Sequence, residues 1–172
     1  MKRILSILML VLVVVAPGFS QSGVWKQLSV KDLATLVKER DNGVDEGQSY
    51  YAVNTTALKN QLVTATDKFS GQSGIVVSFP NLNGELESFE VWENSNMEPS
   101  FQAQFPEIRS YIGKGLTDKS AQINFSLSPL GLQTMVLRAD ASGAEFLERY
   151  DKNATAYVLF TSAARVRKGN FS

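Results

Sequence analysis

The sequence predicts an α+β fold, with two N-terminal helices followed by an antiparallel sheet of about six strands in a single domain. Three observations carry that prediction. Apolar residues recur at helical spacing only in the stretch before Gly74. Beyond Gly74 the texture changes to runs of β-branched and aromatic residues separated by turn chemistry. Helical segments come first and strands afterwards, an order that favours α+β over alternating α/β.

The chain opens with Lys2 and Arg3, continues through the apolar run Ile4 to Ala16, and reaches small residues at Gly18 and Ser20. That is the three-part build of a secretory signal. The apolar run falls short of the roughly 20 residues of a membrane span, and Pro17 and Gly18 close it. Cleavage is expected after Ser20 or Gln21, giving a periplasmic, cell-surface or extracellular protein with no membrane attachment once the signal is gone. There is no cysteine, so neither a lipid anchor nor a disulfide is expected, and stability has to come from a packed core. With 44% hydrophobic residues, the mature chain of about 150 residues supports one core of that kind. The expected organisation is a signal over 1–20, an α+β domain over 21–164, and a tail or linker start over 165–172.

Within the domain, Ser29 with Asp32 three residues on resembles a capping box, and Leu33, Leu36 and Val37 fall on one helical face. This first helix should end near Arg40. Asp41 to Ser49, rich in Gly, Asp and Glu, reads as loop, and Tyr50 to Val53 as a short strand. Asn54 can cap a second helix with Leu58, Leu62 and Ala65 inward, and Asp67 to Gly74 returns to loop. Ile75–Phe79 and Leu86–Glu93 then form a hairpin around Asn83 and Gly84, where the glycine supplies a positive φ. In the second of these strands Phe89 and Val91 point one way and Glu90 and Trp92 the other. A helical turn over Pro99–Gln104 precedes a strand Ile108–Ile112 that ends at Gly113 and Gly115. Ala121–Ser128 and Leu132–Arg138 make a second hairpin about Pro129, Leu130 and Gly131. Asp140–Gly143 is a turn, and strands follow near Glu145–Arg149 and Ala156–Thr161.

The chain contains no histidine, which removes Ser/His/Asp and Cys/His nucleophilic sites, the HExxH zinc helix, and structural zinc clusters of Cys and His. No glycine-rich phosphate loop is present. Loss of Lys2 and Arg3 from the 17 basic residues leaves 15 against 17 acidic ones, a net charge of about −2. No nucleic-acid footprint is visible, and the basic cluster Arg165, Arg167 and Lys168 reads as a solvated tail. Carboxylate chemistry needs only two acids, and Glu85, Glu87, Glu90, Glu93 and Glu98 are the candidates. Spaced through a strand and its flanks, they read better as acids that keep an edge soluble. Asn-x-Ser/Thr triplets begin at Asn54, Asn124, Asn153 and Asn170, and only a eukaryotic secretory host would modify them.

Several ordered pieces carry a resemblance. They are Val77–Val91 (VSFPNLNGELESFEV), Met97 with Pro99, Phe105–Gly115 (FPEIRSYIGKG) and Ala121–Leu137 (AQINFSLSPLGLQTMVL), followed by Phe146, Tyr150 and Tyr157. Together with Trp25 and the Leu58–Leu62 helix, they resemble the region before the catalytic domain in secreted reprolysin-like zinc metalloproteases of Bacteroidetes. The motif positions are Ser78, Phe79, Pro80, Asn81, Gly84, Met97, Pro99, Phe105, Pro106, Tyr111, Gly113, Ser128, Pro129 and Gly131. Each has a plain structural reading as turn or core, with Trp92 the candidate for a partner-facing side chain. The resemblance implies a non-catalytic, propeptide-like domain that aids folding of a zinc metalloprotease domain and inhibits it, in cis or in trans. It implies no cofactor in this chain, zinc being expected only in a catalytic domain that this sequence lacks. The sequence ends at Ser172, so a fragment of a longer precursor and a prodomain-like module on its own both stay open, with the plain ending Val166–Ser172 favouring the fragment. The alternative is a free-standing exported module that binds a peptide or a glycan.

Overall fold

A computed structural model describes residues 23–38, 48–95, 97–139 and 143–163. The signal segment, the end of the first predicted helix, most of the 41–49 loop, most of the 140–143 turn and the basic tail lie outside the described residues. The fold is mostly β, which corrects the expected α+β class of two N-terminal helices and about six strands. Nine antiparallel strands form one curled sheet in the order β1-β2-β9-β8-β7-β6-β5-β4-β3, a half-barrel with three short helices among the described residues.

The correction arises at the N-terminus. Trp25–Leu28 is a strand, β1, paired with β2 (Ser49–Val53), and β2 pairs in turn with the last strand, β9 (Ala156–Thr161). The predicted capping box is present, with Ser29 N–H and Oγ both donating to the Asp32 carboxylate at 2.8 and 2.7 Å. The helix it starts, α1, nevertheless spans only Val30–Leu33. It stops because the backbone beyond it is claimed elsewhere. Val37 C=O accepts from Lys152 N–H at 3.1 Å, and Lys38 makes an isolated bridge to Asp151. Long-range pairing overrides a helical spacing that is locally valid.

Helix α2 (Thr55–Leu62) begins at Asn54, whose Oδ1 accepts from Ala57 N–H at 3.0 Å. It stands in the chain between β2 and β3, the strand at the other edge of the sheet. Its Leu58 and Leu62 are buried in the main core. From there strands β3 (Ile75–Pro80), β4 (Leu86–Glu93), β5 (Arg109–Gly115), β6 (Gln122–Ser128), β7 (Gly131–Leu137) and β8 (Glu145–Arg149) run as a meander into β9, with α3 (Pro99–Gln104) between β4 and β5. The β3–β4 hairpin closes over five residues. Asn81 Oδ1 accepts from the N–H of Asn83 and Glu85, both at 3.0 Å, and Gly84 takes φ +81°.

Alternation along these strands sends Val77, Phe79, Phe89, Val91, Ile123 and Phe125 to the inner face, with Leu132, Leu147, Tyr157 and Leu159 continuing the layer. Burying each such side chain contributes about 1.5–3 kcal/mol. The outer face over β2 and β9 is covered separately by Leu33 of α1 with Tyr50, Tyr150 and Ala156. The two edge strands approach each other at one point, where Trp25 Nε1 donates to Ser78 C=O at 2.7 Å and the Trp25 ring lies 5.4 Å from that of Phe79.

Candidate functional site

With the inner face filled and the outer face of β2 and β9 covered, the outer face of β4–β8 remains. Strand alternation places Trp92, Ile112, Asn124, Met135 and Phe146 on that side. The register sets them in one row across the strands, since Trp92 faces Ile112, Ile112 faces Asn124, Asn124 faces Met135, and Met135 faces Phe146. All five are half-buried. Phe146 extends the row onto β9 by stacking on Phe160, with ring centres 5.7 Å apart. An outer sheet face normally alternates toward polar residues, so a mainly apolar row across adjacent strands stands out as a surface suited to a partner.

Two shallow troughs flank the row. One, of about 340 Å³, is lined by Ser110, Asn124, Ser126, Gln133, Met135 and Phe146, with Asn94 and Glu148 at its ends. Ser110, Ser126 and Gln133 form a second register row in it, so hydroxyl and amide groups stand at the spacing of adjacent strands, about 4.8 Å. The other, also about 340 Å³, is lined by Trp92, Ile112, Gly113, Lys68, Lys114 and Gln122. The Trp92 indole N–H donates to Gln72 C=O at 2.9 Å, which fixes the ring in the trough lining.

The motif positions do not converge on one site. Phe79 and Tyr111 both pack on Phe125, at 4.8 and 4.9 Å between ring centres. Burial, with help from the Glu93 carboxylate, pushes the Tyr111 phenol up to about 12. Ser78 Oγ lies 2.8 Å from Ser88 Oγ in the adjacent strand. Pro80, Asn81 and Gly84 build the first hairpin, and Ser128, Pro129 and Gly131 the second, where Ser128 Oγ accepts from Leu130 N–H at 3.1 Å. Gly131 sits at φ +108°, and a Cβ there would lie 2.7 Å from the Tyr157 hydroxyl. Met97 precedes α3, Pro99 opens it, and Phe105 closes it while packing on Phe101 at 4.9 Å. Pro106 C=O accepts from Arg109 Nε at 2.9 Å, and Gly113 lies in β5 on the inner face.

Three of the five candidate acids, Glu87, Glu90 and Glu93, are engaged through their side chains within the fold. Glu93 pairs with Arg109 at 2.6 Å, and Glu90 accepts from Gly74 N–H at 3.1 Å. Glu85 lies in the hairpin loop and Glu98 at the N-cap of α3. Glu87 is bound in bidentate fashion by Arg138, at 2.7 and 3.1 Å. The same guanidinium also holds Glu145 at 2.7 Å and Asp118 at 3.0 Å. The bonds to Glu87 and then Glu145 raise the Arg138 pKa against the cost of burial. Asp118 is held below its usual range by the Ser120 hydroxyl and amide, then by Arg138. This network was not anticipated, although its signal is in the alternation. Arg138 shares parity with Leu132, Thr134 and Val136, Glu87 with Phe89, and Glu145 with Leu147, so all three point inward.

Among the described residues no group of three or more His, Cys, Asp and Glu is arranged to hold a metal ion, and no helix is long and apolar enough to cross a membrane. Comparison with protein-family models, with curated proteins and with solved structures finds no match for this chain.

Proposed function

We propose that this chain is a non-catalytic binding domain of an exported protein, and that it acts as the propeptide-like partner of a reprolysin-like zinc metalloprotease domain, aiding its folding and restraining its activity. The partner is named by the resemblance of the Val77–Leu137 segments. The observation that supports a binding role is the half-buried apolar row Trp92–Ile112–Asn124–Met135–Phe146 with a trough on either side. A row of this kind on an outer face is the feature that marks interaction surfaces. Without cysteine, a thiolate cannot reach a partner's zinc, so restraint works by steric cover or by a carboxylate.

The test is to add the purified mature chain to a mature reprolysin-type zinc metalloprotease domain. The expected result is slower hydrolysis of a peptide substrate and a higher yield when the protease is refolded in its presence. Unchanged hydrolysis together with unchanged yield would contradict the proposal.

A second reading, a free-standing peptide- or glycan-binding module, draws on the side chains of Ser110, Asn124, Ser126 and Gln133 beside Met135 and Phe146. Hydroxyl and amide groups next to an apolar platform match the needs of a polar, uncharged chain. Saturable binding of a neutral oligosaccharide, with no effect on the protease, would favour this reading over the first.

A further inference from the structure

We propose that the trough beside Trp92 is a subsite for an acidic peptide segment of the partner, taking an apolar side chain on the Trp92 ring and the neighbouring carboxylate between Lys68 and Lys114. This deepens the reading of the outer sheet face as the docking surface and rests on it.

The trough floor is apolar, because Trp92 and Ile112 are register partners on β4 and β5 and the indole N–H is already spent on Gln72 C=O. With its N–H engaged, the ring offers a ligand only apolar surface, which favours an aliphatic or aromatic side chain. The walls are cationic. Lys68 and Lys114 are both exposed, and neither forms a salt bridge with a described residue, whereas Arg109 and Arg138 are both paired. Glu90 is the register partner of Lys114 and offsets part of its charge, while one of its oxygens accepts from Gly74 N–H at 3.1 Å and is directed toward that loop. The Lys68 backbone is pinned in place, since its N–H donates to Glu93 C=O at 2.9 Å and Glu93 N–H donates to Thr66 C=O at 2.9 Å. Two lysines thus line an apolar trough on a mature chain whose net charge is about −2, with Lys68 Nζ 5.5 Å from the centre of the exposed Phe69 ring and Glu90 beside Lys114 as the one acidic register partner. The local field selects a negative ligand against the sign of the whole molecule.

Size and charge count select the class of ligand. A trough of about 340 Å³ admits one or two side chains. Two lysines fall short of the roughly 4–8 basic residues that bind an anionic membrane surface, and they form no track for a nucleic-acid backbone. Gln122 adds an exposed amide on the wall, able both to donate to and to accept from a peptide backbone.

The test is amide and indole NMR of the mature chain, titrated with a blocked hexapeptide of alternating Leu and Glu and with its Leu and Gln counterpart. The expected result is that the Glu peptide shifts the Trp92 indole and the Ile112 and Lys114 amides, with an affinity that falls as salt rises. The Gln peptide should bind about tenfold more weakly, and the Lys68→Gln/Lys114→Gln double variant should lose about tenfold for the Glu peptide. Both lysines are exposed and outside any salt bridge with a described residue, and the Phe69 ring under Lys68 is itself exposed, so the variant should keep its fold, as its unchanged spectrum elsewhere would verify. Equal binding of the two peptides, an unaffected double variant, or no shift at these positions would overturn the subsite. So would tight binding of phosphatidylglycerol vesicles without binding of the Glu peptide. Because no protease is present, peptide binding can succeed where inhibition fails, and inhibition can succeed where the subsite fails.

Discussion

Arg138 organises three carboxylates at one end of the sheet, and its removal is the most disruptive single change available there. The side chains of Glu87 and Glu145 are only 9% and 7% exposed. Arg138→Met would leave both without their cation, at a cost of about 3–5 kcal/mol, measurable as a lower midpoint in chemical denaturation. Combining it with Glu87→Gln and Glu145→Gln should recover part of that loss, because neutral amides are cheaper to bury than unpaired carboxylates. Tyr111 gives a prediction in pH. Its folded phenol is pushed up to about 12 from an unfolded value of 10.0, so the folded state holds the proton more tightly. The associated stability is intact below the unfolded value and is lost as pH rises from there toward 12. Tyr51 and Tyr157 are raised in the same direction by burial. Denaturation midpoints should therefore drop steeply above pH ~10, and Tyr111→Phe should make the drop shallower. An identical slope in the variant would count against burial of this hydroxyl as a cause.

At the scale of elements, the strands were the legible part, because runs of β-branched and aromatic residues are separated by turn chemistry, and in β6 and β7 burial alternates residue by residue along the strand. The β3–β4 hairpin was legible through Asn81, Asn83 and Gly84. What misled was the N-terminal segment, where Leu33, Leu36 and Val37 keep helical spacing but Val37 and Lys38 pair with the Asp151–Lys152 turn. Strand β1 was invisible because it has four residues, WKQL, followed at once by a helix cap. Its role in the fold rests on Trp25. Trp25→Phe keeps the ring contact with Phe79 but leaves Ser78 C=O without its donor, and should cost about 1–3 kcal/mol. Trp92→Phe, which removes an exposed bond to Gln72 C=O, should cost under ~1 kcal/mol. Equal costs for the two substitutions would show that the link between the edge strands carries no special weight.

For the whole molecule, the topology could not be read from local signals. The ladder that joins β2 to β9, with Tyr51 opposite Tyr157, closes most of the chain length, and nothing near Tyr50–Val53 announces that partner. The same holds for the candidate site. Trp92 was identifiable by parity, but the row it heads needs the register of five strands, and the troughs need the packing around it. The meeting of Lys68 and Lys114 at one trough is likewise a property of the folded chain. The account as a whole rests on the outer face of β4–β8 being the docking surface for a zinc metalloprotease domain. The most direct measurement compares inhibition of a mature reprolysin-type protease domain by the mature chain and by its Met135→Glu variant, which places a charge in the middle of the row without touching the inner core. The account predicts inhibition by the parent chain and at least a tenfold loss in the variant. Undiminished inhibition by the variant, or none by the parent chain, would contradict it.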